Sequence, residues 1–289
     1  MFRFQIKDFR LTRTARRICI LLRVTILLVP ASILLLLSAC GNRLKLDVVV
    51  AGSTSVQPYA EILAEEYALI YPERGIDVQG GGSSAGITAV ESGTADIGMS
   101  SRALNDNERD LWFVEIAKDG LAVIINPKNP IQDLSLNQIR DIYTTKINNW
   151  SELGGSKAKI HIIAREDGSG TRSAFESLVM NSERISPKAI VQDSNGAVRQ
   201  LVSDDPNSIG FISLGLVDHS VKAIKLEGVT PARENARNES YSLYRPFLFV
   251  SKSQPTGLAK EFIDFTLSPE GQQLLMNEGL ITMYEGSDR

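Results

Sequence analysis

The sequence predicts an α/β protein with a parallel or mixed sheet. From residue 44 onward, short apolar runs typical of buried strands alternate with segments of helical spacing. At five of these strand-to-helix junctions the turn is rich in glycine, serine, threonine or asparagine. Because ligands of such sheets bind at the carboxyl ends of strands, where helices begin, we expect one ligand site assembled from several turns.

The composition excludes several classes of function. The chain has 289 residues, 43% hydrophobic and 22% charged, which suffices for one large or two modest domains. Residues 1–40 hold seven of the 31 Lys and Arg but only one of the 34 Asp and Glu, so the remainder is acidic. An acidic body is not expected to bind nucleic acid through its overall field. Both cysteines, Cys19 and Cys40, lie in the basic segment, which excludes a disulfide framework or a cysteine-based zinc site in the body.

Residues 1–39 are predicted to be a lipoprotein signal peptide. Arginines precede an apolar run at residues 26–37, the order found in secretory signals. The run ends in the sequence LSAC, which resembles the bacterial lipobox and implies cleavage before Cys40 and lipidation of its sulfur. The alternative is a plain transmembrane anchor, for which the apolar run is short. A lipid at Cys40 would hold the protein on the extracytoplasmic face of the cell membrane.

Two turns rich in glycine and serine follow the first two predicted strands. Residues 44–50 predict a strand that leads into the sequence AGSTSV, and residues 76–79 predict a strand that leads into GGGSSAG. A helix is predicted after each turn. For Thr54 and Ser55, capping of the following helix is the alternative to a role in ligand binding.

The second of these turns matches two enzyme motifs. Residues 80–85 fit the dinucleotide fingerprint GxGxxA, and the same turn fits the GxSxG nucleophile elbow around Ser84. The fingerprint requires an acid about 20 residues further on, whereas Asp96 comes too early. The elbow requires a histidine, but we expect His161 in the core of a strand and His219 in a surface turn. A serine hydrolase or phosphatase built on Ser84 therefore stays a disfavoured alternative.

Further predicted elements continue the alternation of strands and helices. A fourth polar turn has the sequence DIGMSSR, and a fifth contains Ser194 and Asn195, either of which can cap a helix and donate hydrogen bonds. Strands are predicted at residues 120–127, 209–212 and 244–250, and helices at residues 134–143, 258–267 and 269–275.

Residues 164–172 (AREDGSGTR) have the clearest chemistry. They join an apolar strand, residues 160–163, to a segment of helical spacing. Glycines allow the backbone to approach a ligand closely, while unpaired N–H groups and the helix dipole favour an anion. Ser169 and Thr171 add hydroxyl donors, and Arg165 adds a planar cationic fork. This stretch therefore predicts an oxyanion site whose other donors come from the remaining turns.

Taken together, the turns resemble those of the substrate-binding lipoproteins of phosphate ABC importers. The resemblance covers about residues 45–280 and is carried by residues 52–55 (GSTS), 82–86 (GSSAG), 95–102 (ADIGMSSR) and 165–171 (REDGSGT). It implies an α/β, two-lobed, periplasmic-binding-protein-like (type II) fold with the anion in the cleft between the lobes.

The same resemblance implies how the chain is divided. Residues 44–124 and 245–289 would form the first lobe, and residues 125–244 the second. Residues 123–127 and 244–248 would be the two crossing strands that form the hinge.

The resemblance also implies the phosphate contacts. These are hydroxyl groups, backbone N–H groups and one guanidinium, from Thr54, Ser55, Ser83, Arg165, Ser169, Gly170 and Thr171. Asp167 matches an acid that orients the arginine. Many members carry an aspartate where this chain has Ser101, which we retain as a site residue, and this departure puts the neighbouring Arg102 in question as a contact.

The function implied by the resemblance is extracytoplasmic binding of inorganic phosphate for an ABC importer, without catalysis, cofactor or metal. The implied partners are phosphate, the permease subunits and, through Cys40, the membrane, with the protein itself a monomer. An adhesion or signalling protein on the same fold is a further alternative, since a fold does not fix a function.

Overall fold

A mixed β-sheet runs through the part of the chain that the structure, a computed structural model, describes, which is residues 46–283. The strands are β1 (Leu46–Gly52), β2 (Gly75–Gly80), β3 (Ile97–Ser100), β4 (Trp112–Ile125), β5 (Asp133–Leu134), β6 (His161–Arg165), β7 (Ile190–Gln192), β8 (Ser208–Ser213), β9 (Lys222–Ala223), β10 (Lys225–Leu226) and β11 (Tyr244–Ser251). In the main sheet the order is β2-β1-β3-β11-β4-β8-β6-β7, with β9 on β4, while β5 and β10 pair separately.

Most helices connect successive strands, as the alternation in the sequence predicts, and the last two follow the final strand. They are α1 (Gln57–Ile70), α2 (Ser83–Ser92), α3 (Leu136–Tyr143), α4 (Gly170–Phe175), α5 (Asn195–Asp204), α6 (Arg233–Arg237), α7 (Gly257–Leu267) and α8 (Pro269–Asn277). A π-helical turn, Glu176–Met180, continues α4. Short 3₁₀ turns lie at Asp106–Glu108, Trp150–Leu153 and Leu214–Leu216.

Strand directions divide the sheet into two parallel groups joined by antiparallel strands. β1 pairs in parallel with β2 and β3, and β6 pairs in parallel with β7 and β8. Between the groups, β11 runs antiparallel to β3 and β4, and β4 runs antiparallel to β8. This arrangement confirms the predicted mixed α/β sheet. The turns after β1, β2 and β6 lead into α1, α2 and α4, and the turn after β3 leads into a 3₁₀ turn, so the predicted site residues lie at the carboxyl ends of strands.

Strand β4 is longer than the sequence indicated. It begins at Trp112, whereas the apolar pattern predicted a strand only from residue 120. The polar side chains of Glu115, Lys118 and Asp119 interrupt the apolar pattern of its first half, which nevertheless pairs with β11. The prediction missed this half because cross-strand pairing, rather than apolar composition, stabilises it.

The apolar core changes along β4 and β11. One core combines residues from Val48 to Ala117 with residues from Phe247 to Leu280, and a second lies within residues 121–243. β4 thus leaves the first core after Ala117, before the predicted crossing stretch at residues 123–127, and β11 returns to it at Phe247. The predicted boundaries between two lobes remain a prediction.

The predicted signal peptide and Cys40 lie outside the described residues. Within residues 46–283, no helix is both long and apolar enough to cross a membrane.

Candidate functional site

Arg165 ends strand β6 and is the most deeply placed charge of the predicted site. Its side chain is 1% exposed. Its Nε and Nη2 donate to the two carboxylate oxygens of Glu166 at 2.8 and 2.9 Å, and Nη2 also donates to Thr54 Oγ1 at 3.1 Å. Its Nη1 is buried and has no hydrogen-bond partner among the described residues. A buried, unpaired guanidinium donor strongly favours an anionic acceptor.

The prediction that Asp167 orients Arg165 is wrong in this structure. Glu166 performs that role, and it is itself held by a bond from its N–H to the carbonyl oxygen of Gln192. The side chain of Asp167 is 94% exposed and pairs instead with Arg172 at 2.8 Å. The reason lies in the turn, which directs the carboxylate of Asp167 to solvent while the longer side chain of Glu166 reaches back to its neighbour.

Helix α4 begins directly after this turn. Ser169 Oγ caps the helix by accepting from Arg172 N–H, and Ser169, Gly170 and Thr171 are all buried. A Cβ added to Gly170 would overlap Ser83 Oγ and Ser101 Oγ, so only glycine fits this close approach. The first N–H groups of a helix have no partner within the helix, which suits the expected contact between Gly170 and an oxyanion.

Three serines from the turns after β1, β2 and β3 form a buried hydroxyl cluster. Ser53 Oγ donates to Ser101 Oγ at 2.9 Å, and Ser101 N–H donates to Ser83 Oγ at 3.1 Å. Ser83 and Ser101 are fully buried, and Ser53 is 2% exposed. The structure therefore brings two predicted site residues, Ser83 and Ser101, together at Gly170.

A second cluster forms around Ser55. Its Oγ accepts from Asn195 Nδ2 at 2.9 Å and from Arg245 Nη2 at 3.1 Å, and it lies 2.7 Å from Thr171 Oγ1. A hydroxyl has two acceptor sites and one proton. Since two donors occupy the acceptor sites of Ser55, its proton goes to Thr171, whose own hydroxyl proton is then free for a ligand. Helix capping, the alternative for Ser55, is not what the structure shows: α1 has no side-chain cap.

Arg245 is a buried charge beside the predicted site that the sequence patterns did not single out. It lies near the start of β11 with its side chain 1% exposed, paired with the buried Asp119 at 3.0 Å. Burial lowers the pKa of Arg245, and Asp119 opposes that shift, while the positive charge of Arg165 lowers the pKa further. The guanidinium of Arg165 donates to Thr54 and that of Arg245 donates to the adjacent Ser55. A single arginine inside an apolar strand was the signal available in the sequence.

The guanidinium of Arg102 binds Glu108 and neighbouring protein groups. Its Nη1 and Nη2 donate to the two oxygens of Glu108 at 2.7 and 2.8 Å, and Nη1 also donates to the carbonyl oxygen of Ala103. The hydrogen bonds from Arg102 hold the pKa of Glu108 below its usual value. Arg102 is thus a structural partner of Glu108. This geometry does not favour Arg102 as a contact of the anion, the role that the replacement of an aspartate by Ser101 had put in question.

The residues of the enzyme motif are not arranged for catalysis. Ser84 Oγ accepts a long hydrogen bond, 3.4 Å, from Arg102 Nη2. The prediction that His161 is a core residue is wrong: its side chain is 42% exposed and its Nδ1 lies 2.6 Å from Asp205. It stands at the first position of β6, the edge of the apolar run, where an imidazole reaches solvent. His219 is exposed, as predicted.

The fold and the site define a periplasmic-binding-protein-like molecule whose chemistry suits a small oxyanion. A model of the PBP superfamily domain matches residues 39–270. The chain belongs to this superfamily and, within it, to the PstS-type phosphate-binding proteins.

Relatives and solved structures agree on this family. Phosphate-binding protein PstS of Bacillus subtilis is 29% identical over 89% of this chain and 92% of its own length. That of Pseudomonas aeruginosa PAO1 is 30% identical over 80% of this chain and 81% of its own length. These relatives are named as binding proteins, in agreement with the predicted absence of catalysis.

Two crystal structures are more similar in sequence. One, from Clostridium perfringens, is provisionally assigned as a phosphate ABC transporter substrate-binding protein and contains bound phosphate. It is 45% identical, with a TM-score of 0.80, and the match covers 82% of this chain and 99% of that protein. An ABC-type phosphate transport receptor from Vibrio cholerae is 40% identical, with a TM-score of 0.70, over 82% of this chain and 100% of its own.

Proposed function

We propose that this protein binds inorganic phosphate and delivers it to an ABC importer. The observation that carries this function is the buried Nη1 of Arg165, which has no partner among the described residues and belongs to the residue just before the turn that leads to the buried Ser169 and the start of α4. The 45% identical protein from Clostridium perfringens, which has phosphate bound, supports the choice of phosphate among oxyanions.

The donors suit a tetrahedral ligand because they come from several directions. Thr54, Ser83 and Ser101 belong to the turns after β1, β2 and β3, whereas residues 165–171 supply the guanidinium, the helix start and the hydroxyl of Thr171, which Ser55 leaves free by donating to it. A hydrogen bond to a charged group contributes about 1.5–3 kcal/mol. Half a dozen such bonds, less the cost of association, give about −8 kcal/mol, which corresponds to micromolar affinity.

The direct test is calorimetric titration of the purified protein with phosphate, sulfate and molybdate. We expect saturable phosphate binding with one site per chain and weaker binding of the other two anions. Turnover of generic esters and phosphoesters serves as the control for the hydrolase alternative around Ser84, and we expect none. Failure of phosphate to bind at millimolar concentration would reject the proposed function.

We further propose that the protein works outside the cytoplasm, tethered to the membrane by lipid at Cys40. The sequence LSAC at the end of the apolar run supports this proposal. Cys40→Ser should release the protein from the membrane fraction and leave phosphate binding unchanged. A Cys40→Ser protein that is processed normally and still sediments with membranes would rule out the lipid anchor.

A further inference from the structure

Arg245 and Asp119 occupy a special place in the fold. They are directly opposed on β11 and β4, the two antiparallel strands that pass from one apolar core to the other. The core changes between Ala117 and Leu121 on β4, and the pair lies inside that interval. Burying an ion pair at this point costs free energy that apolar side chains would not, so a purely structural role does not explain the pair.

The guanidinium of Arg245 is only partly used by its neighbours. Its Nε and Nη2 both donate to Asp119 Oδ2, at 3.2 and 3.0 Å, and Ser213 Oγ occupies the other carboxylate oxygen at 2.9 Å. Its Nη1 is buried and has no hydrogen-bond partner among residues 46–283. Of the buried side-chain atoms of these residues, only Nη1 of Arg165, Nη1 of Arg245 and the hydroxyl of Tyr59 share this condition.

Hydrogen bonds link Arg245 to the predicted site. Its Nη2 donates to Ser55 Oγ, which in turn bonds Thr171 at the start of α4. Arg165 Nη2 donates to Thr54 Oγ1 and Arg245 Nη2 donates to the adjacent Ser55 Oγ, so the two cations bind neighbouring residues of one turn. Two buried, like-charged guanidinium groups, each with a free donor, are strongly stabilised by an anion that both can reach.

We propose that Arg245 is a second arginine that binds the anion directly through Nη1, and that Asp119 positions its fork. This inference rests on the proposed function, since the anion is the phosphate of that site. The family resemblance implied only one guanidinium at the anion, that of Arg165. Arg245 would be a second, and it lies on one of the two strands that join the two cores. Binding of the anion then connects the turns of both parallel groups to these strands.

The test compares two double variants that each neutralise a buried ion pair without large loss of volume. Asp119→Asn/Arg245→Gln removes the proposed contact, and Arg102→Gln/Glu108→Gln is the matched control, because that pair closes on itself. Phosphate titration of the purified full chain should show a loss of at least about tenfold in affinity for the first variant. The control should stay within about threefold of wild type.

The outcomes separate this inference from the proposed function. If wild type binds phosphate and Asp119→Asn/Arg245→Gln binds it equally well, Arg245 is only structural and the inference is overturned. If wild type itself does not bind, the proposed function falls, and the inference with it. If the double variant does not fold, Arg245→Lys provides the test. A single ammonium group cannot both pair with Asp119 and reach the anion, so phosphate binding should be several-fold weaker. Unchanged phosphate affinity of Arg245→Lys would overturn the inference.

Discussion

Two buried arginines lie beside a carboxylate at the ends of strands β3 and β6, yet only the second has a buried guanidinium nitrogen without a partner among residues 46–283. In the turn after β3, Arg102 meets Glu108 end-on, and both terminal nitrogens are occupied. At the end of β6, Arg165 meets Glu166 side-on through Nε and Nη2, which leaves Nη1 without a partner among residues 46–283. The comparison shows that the geometry of the ion pair, rather than burial or charge alone, decides whether an arginine keeps an N–H donor for an anion.

The largest expected effect concerns the closed pair. Arg102→Ala should lower the free energy of unfolding by about 3–5 kcal/mol, because it leaves the buried carboxylate of Glu108 without its partner. Denaturant unfolding at neutral pH measures this loss. The phosphate affinity of the folded variant should stay close to that of wild type, and a tenfold loss of affinity would show that Arg102 belongs to the site after all.

This effect should depend on pH in a defined direction. The pKa of Glu108 is lowered in the folded protein, so its ionised form stabilises the fold above the ordinary pKa of a glutamate. That stability is lost as the pH falls through the lowered pKa. The difference in unfolding free energy between wild type and Arg102→Ala should therefore shrink in acid, and a constant difference would contradict the assigned pair.

A smaller effect should separate the two acids beside Arg165. Glu166→Gln should lower the free energy of unfolding by about 1–3 kcal/mol, because the buried guanidinium loses its charged acceptor. Asp167→Asn, the matched control, should cost less than about 1 kcal/mol, since its ion pair is exposed to solvent. Equal costs, measured by denaturant unfolding without ligand, would restore Asp167 as the partner of Arg165.

The smallest expected effect concerns selectivity at Ser101. A serine hydroxyl can donate or accept a hydrogen bond, so it tolerates an anion that lacks a proton. An aspartate carboxylate would repel such an anion. Ser101→Asp should therefore raise the ratio of phosphate to sulfate affinity, by about 1 kcal/mol or less because the position is tightly enclosed by Ser53, Ser83 and Gly170. Competition titrations at fixed pH and ionic strength measure the ratio. A wild type that already ignores millimolar sulfate, with no change in Ser101→Asp, would show that another residue discriminates.

The sequence predicted most of the fold because its local patterns agree with the final structure. The capping box of α3 at Ser135, the proline that opens α8, and the apolar strand that ends at Arg165 are all present. The missed half of β4 is stabilised by pairing with β11 far along the chain, which a local pattern cannot reveal.

The site was predictable where its residues lie in recognisable turns, and less so where long-range contacts decide. Ser83, Ser101 and Gly170 meet as the turns suggested. The choice of Glu166 over Asp167 depends on the path of one turn, and the approach of Arg245 to Ser55 joins positions 190 residues apart. No periodicity or spacing contains that information.

The most direct test of the central claim is calorimetric titration of phosphate into Arg165→Ala beside wild type. Loss of the one predicted cationic contact should reduce affinity by about 1.5–3 kcal/mol or more, which is at least tenfold, while the circular dichroism spectrum stays that of the wild type. An Arg165→Ala protein that is folded and binds phosphate within about threefold of wild type would contradict the account, because the free Nη1 would then not be the anion's partner.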